Sequence, residues 1–164
     1  MDGLNLTQVK HCVVLPTLNH LGSAYVSASA INMLTGIMQV ESGGVYLQQL
    51  GGGPAVGLWQ MEPFTHDDCW NTFLNYPAQA ELRAKVQSLV TGINGPGSPA
   101  YEMEGNLYYA CAMARVKLLR CPPPLPAPDD AQSMANYHKT WYNTAAGKAD
   151  PTLDVQAFQA AIDA

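Results

Sequence analysis

Ser27-Ala28-Ser29-Ala30-Ile31-Asn32-Met33-Leu34-Thr35-Gly36-Ile37-Met38-Gln39-Val40-Glu41-Ser42-Gly43-Gly44 is the stretch that decides how this chain is read. Ile31, Leu34, Ile37 and Met38 recur at three- and four-residue intervals, the signature of a helix with one buried face. The pattern predicts a helix from about Ser27 to Ser42, ended by Gly43-Gly44. Glu41 breaks the pattern. It stands three residues after Met38 and four after Ile37, so its carboxyl falls on the apolar face at the last helical turn. Partial desolvation there and the negative end of the helix dipole both disfavour a carboxylate, which suits a general acid. A Glu reaching solvent past the helix end, or paired with a basic residue, accounts for the same spacing without chemistry.

Working outward, the same periodicity recurs and strict apolar/polar alternation is almost absent, so the expected fold class is all-α. Asn5 reads as the N-cap of a helix toward Leu15, with Pro16 opening the next turn. A short helical turn is expected around Tyr46–Leu50, then a loop at Gly51-Gly52-Gly53-Pro54. Thr65-His66-Asp67-Asp68 fits a capping box that starts a helix through Trp70, Phe73 and Leu74. Further helices are expected over about Ala78–Val90, Glu102–Leu119, Asp129–Tyr142 and Thr152 to residue 163. Gly95–Pro99 reads as a loop and the proline-rich run 122–128 as a stiff extended connector.

The 164 residues suit one domain, and with 48% hydrophobic residues they can bury a core without a metal or disulfides. Eight basic against 13 acidic residues give a net charge of −5, the wrong sign for a partner rich in phosphate, so nucleic acid is not expected. No apolar run approaches the roughly 20 residues of a membrane span, so no membrane insertion is expected. Met1-Asp2-Gly3-Leu4-Asn5 has neither the basic start nor the cleavage site of a secretory signal peptide. Cys12, Cys69, Cys111 and Cys121 lack ligand spacing and read as mostly buried free thiols. His66 with Asp67, Asp68 and Cys69 forms no clean ligand set, because consecutive helical residues point apart. Hence no metal and no cofactor is expected. His11, His20 and His138 are isolated and read as surface or satisfied core histidines.

Three segments together carry a resemblance. Glu41-Ser42 is followed by a Gly-rich stretch and, nineteen residues after the Glu, by Gln60 within Gly57-Leu58-Trp59-Gln60-Met61-Glu62-Pro63. Trp141-Tyr142-Asn143-Thr144-Ala145-Ala146-Gly147 comes later, in the same order. The chain resembles the soluble lytic transglycosylases and goose-type lysozymes, whose signature is Glu-Ser, then Gly-Leu-Met-Gln, then Ala-Tyr-Asn-Ala-Gly. Trp59 stands for the usual Met. Asn106-Leu107-Tyr108-Tyr109-Ala110-Cys111-Ala112-Met113-Ala114 keeps only the first two positions of the family's intervening helix motif. The resemblance covers about residues 27–147 and implies a lysozyme-like helical fold with a glycan-binding cleft. Residues 50–68 further resemble small bacteriophage-encoded members. That implies a virion-associated protein, with other virion proteins as partners, or one held in the host cytoplasm until released to the cell wall.

By that resemblance Glu41 is the catalytic residue, and Ser42, Trp59, Gln60, Met61, Tyr142 and Asn143 meet the substrate, a peptidoglycan glycan strand. A glycosidase ordinarily needs two carboxylates. A lytic transglycosylase manages with one, which first protonates the leaving oxygen and then deprotonates the sugar's own 6-hydroxyl to give a 1,6-anhydro end. Local readings exist for several of these residues. Ser42 can bond the helix end, Trp59 and Tyr142 can be core aromatics, and Asp67 and Asp68 are explained by helix capping. Glu62 is either a solvated loop acid or a cleft residue. A muramidase of the same fold, or a non-catalytic virion or wall-binding protein on that scaffold, are the alternative functions.

Overall fold

The computed structural model describes residues 3–93, 99–143 and 150–164. Among these the chain is helical, with only isolated bridges at Gln48, Val56 and Met61 in place of strands. The expected all-α class therefore holds for the described residues.

The first helix starts where Asn5 Oδ1 accepts from Gln8 N at 3.0 Å. It comprises α1 (Leu6–Val9), a π-helical turn (Lys10–Val14) and α2 (Leu15–Leu21). Pro16 lies inside this continuous run rather than at a fresh start. Its ring would clash with the carbonyl of Cys12, one turn back; the wider turn relieves this, and the Tyr108 hydroxyl donates to that carbonyl at 3.3 Å. α3 (Ala28–Ser42) follows the sequence expectation to within a residue, because both ends are local: Ser27 Oγ caps Ala30 N, and Gly43 turns the chain at φ 59°.

Elsewhere tertiary contacts displace the expected boundaries. Residues 46–50 form no helical turn; Gln49 N bonds Ala55 O and Gly57 N bonds Leu47 O, so this segment pairs with the next one instead. α4 (Pro63–Cys69) begins two residues before the expected capping box, since Pro63 takes the first helical position. Asp68 pairs instead with Arg120 at 2.5 Å, and Asp67 with His66 at 2.8 Å. A π-helical turn (Trp70–Leu74) continues α4, and α5 (Ala80–Gln87) follows. The expected helix over 102–119 is broken into α6 (Glu102–Gly105) and α7 (Leu107–Leu119), with the Asn106 side chain capping the second part. α8 (Ala131–Tyr137) is capped by Asp130 and runs into a π-helical turn (His138–Tyr142). α9 (Pro151–Asp163) is capped by Asp150, not Thr152. The loop expected at Gly95–Pro99 lies largely outside the described residues.

α7 is buried on nearly all sides and forms the centre of the core, which is why its sequence shows no polar face. α9 packs on both α3 and α8. Gly36 permits this approach: a Cβ there would sit 2.2 Å from Phe158 Cδ1. The connector 122–128 is pinned at both ends, by Tyr137 Oη donating to Pro123 O and Asn32 Nδ2 to Pro128 O. Cys69 and Cys111 are buried, Cys121 is half-buried and Cys12 is exposed, all as free thiols. None of the helices described is long and apolar enough to cross a membrane.

Candidate active site

Glu41 lies in the last turn of α3 beside a cleft of about 1460 Å³, lined also by Ser42, Tyr46, Gln60, Glu62, Lys117, Tyr142, Asn143 and Asp154. Pockets for small ligands commonly run to roughly 300–1,000 Å³, and this one is wider and open to solvent. Three sequence segments up to a hundred residues apart thus meet on one cavity.

The wall carrying Gln60 is a tight turn. Val56 and Met61 exchange both backbone hydrogen bonds, at 3.0 and 3.1 Å. Gly57 stands at φ 74°, and a Cβ there would lie 2.5 Å from Met103 O, so both the backbone conformation and the close approach call for glycine. Gln60 itself is held at φ 44°, unfavourable for a side chain of its size. Its amide nitrogen donates to Gly57 O at 2.9 Å, which leaves Oε1 as its acceptor for the cleft. Trp59 and Met61 alternate away from Gln60 and are 1% exposed. Their expected place against substrate is corrected here: both side chains belong to the core, and Trp59 Nε1 donates to Leu34 O at 2.9 Å.

Ser42 serves the helix end, donating to Met38 O and accepting from Gly44 N. Tyr142 borders the cleft, but its hydroxyl donates to Trp59 O at 3.0 Å within the wall. Burial, and next the Glu41 charge, push this phenol well up, so it stays neutral. Lys117 Nζ lies 2.5 Å from Tyr142 O and 4.0 Å from the centre of its ring. Burial pulls the ammonium below its ordinary range while Glu41 opposes that shift. Asn143 closes the π-helical turn, its N–H donating to His138 O at 2.8 Å; the remainder of the third motif, 144–147, lies outside the described residues.

His138, Asp154 and Lys117 are the residues that sequence reading missed. His138 Nε2 lies 2.7 Å from Glu41 Oε1, and Nδ1 lies 3.8 Å from Asp154 Oδ2. The imidazole is fully buried, stacked on Tyr142 at 5.7 Å and tilted against Phe158 at 5.8 Å. Burial pushes the Asp154 carboxyl up, against the pull of His138. The four-residue interval from His138 to Tyr142 was the available signal, yet it identified no partner for the ring. No group of three metal-ligating side chains occurs among the described residues.

Family models, curated proteins and solved structures yield no match to this chain.

Proposed function

We propose that the protein is a peptidoglycan lytic transglycosylase that cleaves the β-1,4 bond between N-acetylmuramic acid and N-acetylglucosamine. The observation that carries this reading is the meeting of Glu41, Gln60 and Tyr142-Asn143, three segments far apart in sequence, around one cleft. Glu41 donates its proton to the leaving glycosidic oxygen as the bond to the anomeric carbon breaks. Its carboxylate then takes the proton of the 6-hydroxyl, whose oxygen closes onto that carbon. The cycle consumes no water and restores the acid. Gln60 Oε1 suits a sugar hydroxyl or amide donor. The lysozyme-like fold, the phage origin and the association with virion proteins belong to the same proposal.

Hydrolysis is the second reading, because two further acids, Glu62 and Asp154, line the same cleft and either supplies the second carboxylate of a muramidase. Mass spectrometry of digested peptidoglycan separates the outcomes. Products one water lighter than hydrolytic muropeptides support the transglycosylase, and reducing ends support the muramidase. No products from folded protein support a non-catalytic wall-binding role and overturn both.

A further inference from the structure

We propose that His138 is a positioning residue for Glu41, its Nε2–H holding Oε1 so that Oε2 alone is presented to the cleft. The inference rests on the reading of Glu41 as the acid/base group.

The 2.7 Å separation between Nε2 and Oε1 accommodates one hydrogen on that line. A proton on Oε1 would point at the imidazole and be unavailable to a glycosidic oxygen. The transferable proton therefore sits on Oε2, and the hydrogen on the line belongs to Nε2. As Oε2 gives up its proton, the neutral contact becomes an N–H to carboxylate bond, roughly twice as strong. The gain appears only as charge develops, the condition for accelerating a step rather than merely binding substrate.

The ring cannot turn away. It is fully buried, with Tyr142 on one face and Phe158 against it. Tyr142 is in turn anchored by Trp59 O and Lys117. The charged groups facing the ring are Glu41 from α3 and Asp154 from α9. Neither His138 Nδ1 nor Asp154 Oδ2 has a hydrogen-bond partner among the described residues. At 3.8 Å the Asp154 carboxyl is too far to bond Nδ1, so no hydrogen bond on that side draws the neutral ring's one hydrogen away from Nε2.

The test compares His138→Leu, which keeps volume but loses the donor, with His138→Gln, which retains an N–H. Kinetics use soluble glycan-strand fragments, with thermal unfolding as the folding control. Loss of one such donor commonly lowers kcat by about 10²–10³. The Leu variant is expected to lose roughly a hundredfold in kcat at little change in KM, and the Gln variant to recover about tenfold of it. In ¹⁵N spectra of histidine-labelled protein, Glu41→Gln should move the Nε2 resonance of His138 and leave those of His11, His20 and His66 in place. Where the Leu variant does not fold, the Gln variant against wild type and the ¹⁵N shift decide. Wild-type kcat in the Leu variant, or an unmoved His138 resonance, overturns the positioning role while anhydro products keep the transglycosylase standing. Absence of any cleavage by the wild-type protein overturns both together.

Discussion

Tyr142 and Trp59, 83 residues apart, are joined by a hydrogen bond from the phenol to the Trp59 backbone oxygen at 3.0 Å. The bond ties the end of the π-helical turn after α8 to the turn that presents Gln60. Both walls of the cleft thereby depend on one hydroxyl.

Tyr142→Phe should therefore act first on stability. It leaves a buried carbonyl without its donor, at a cost of about 1–2 kcal/mol, which lowers Tm by several degrees in a domain of this size. Thermal unfolding checks this. An unchanged Tm would mean that the bond contributes nothing to joining the walls.

Glu41→Gln should abolish peptidoglycan cleavage. A positioned general acid contributes roughly 10²–10⁴ in rate, and the amide keeps a polar contact for His138, so the fold should survive. Turbidity loss of a wall suspension and circular dichroism measure the two effects. Retained clearing would remove Glu41 from the chemistry.

Gly36→Ala should destabilise the protein by about 1–3 kcal/mol through overpacking, since the new Cβ meets Phe158 Cδ1 at 2.2 Å and that ring is fully buried. Phe158 also flanks His138, so activity should fall along with Tm. Urea denaturation and turbidity assays on the same preparation test both; wild-type stability would show that α9 yields without strain.

Acid stability should depend on Glu102. Burial alone would raise its pKa, but donors from Thr91, Asn106 and Gly92 outweigh burial and hold the carboxyl below its ordinary value of 4.5. A depressed folded value means that the stabilisation is present above the unfolded value and lost as pH falls through the folded one. Chemical denaturation across that acid range should show a fall in stability that Glu102→Gln lacks. An identical slope in both proteins would exclude this carboxylate as the cause.

The two ends of α3 were legible because the signals are adjacent to them: Ser27 bonds three residues ahead, and Gly43 relaxes the last turn. The break before α7 was not. Gly105-Asn106 stands there as a stop and cap signal that the apolar stretch on its C-terminal side masked, and the chain bends because Asn106 bonds Leu89 O and Glu102 while capping Tyr109 N. Trp59 and Met61 show the same division within one motif. Their neighbour Gln60 borders the cleft, whereas alternation in a tight turn buries them. His138 looked isolated because its partner lies 97 residues away.

The amino-acid order by itself determined that the described chain is helical, where α3 starts and stops, and that Glu41 sits on the apolar side of its last turn. Caps, glycines and the 3.6-residue period act within one or two turns, so they can be read along the chain. The packing of α3, α8 and α9 alone decided that Glu41 meets His138, that Asp154 stands behind the ring, and that the Tyr142 hydroxyl turns into the wall. Those contacts depend on how buried faces interlock at a Gly36–Phe158 approach, and neighbours in space of that kind leave no spacing to read.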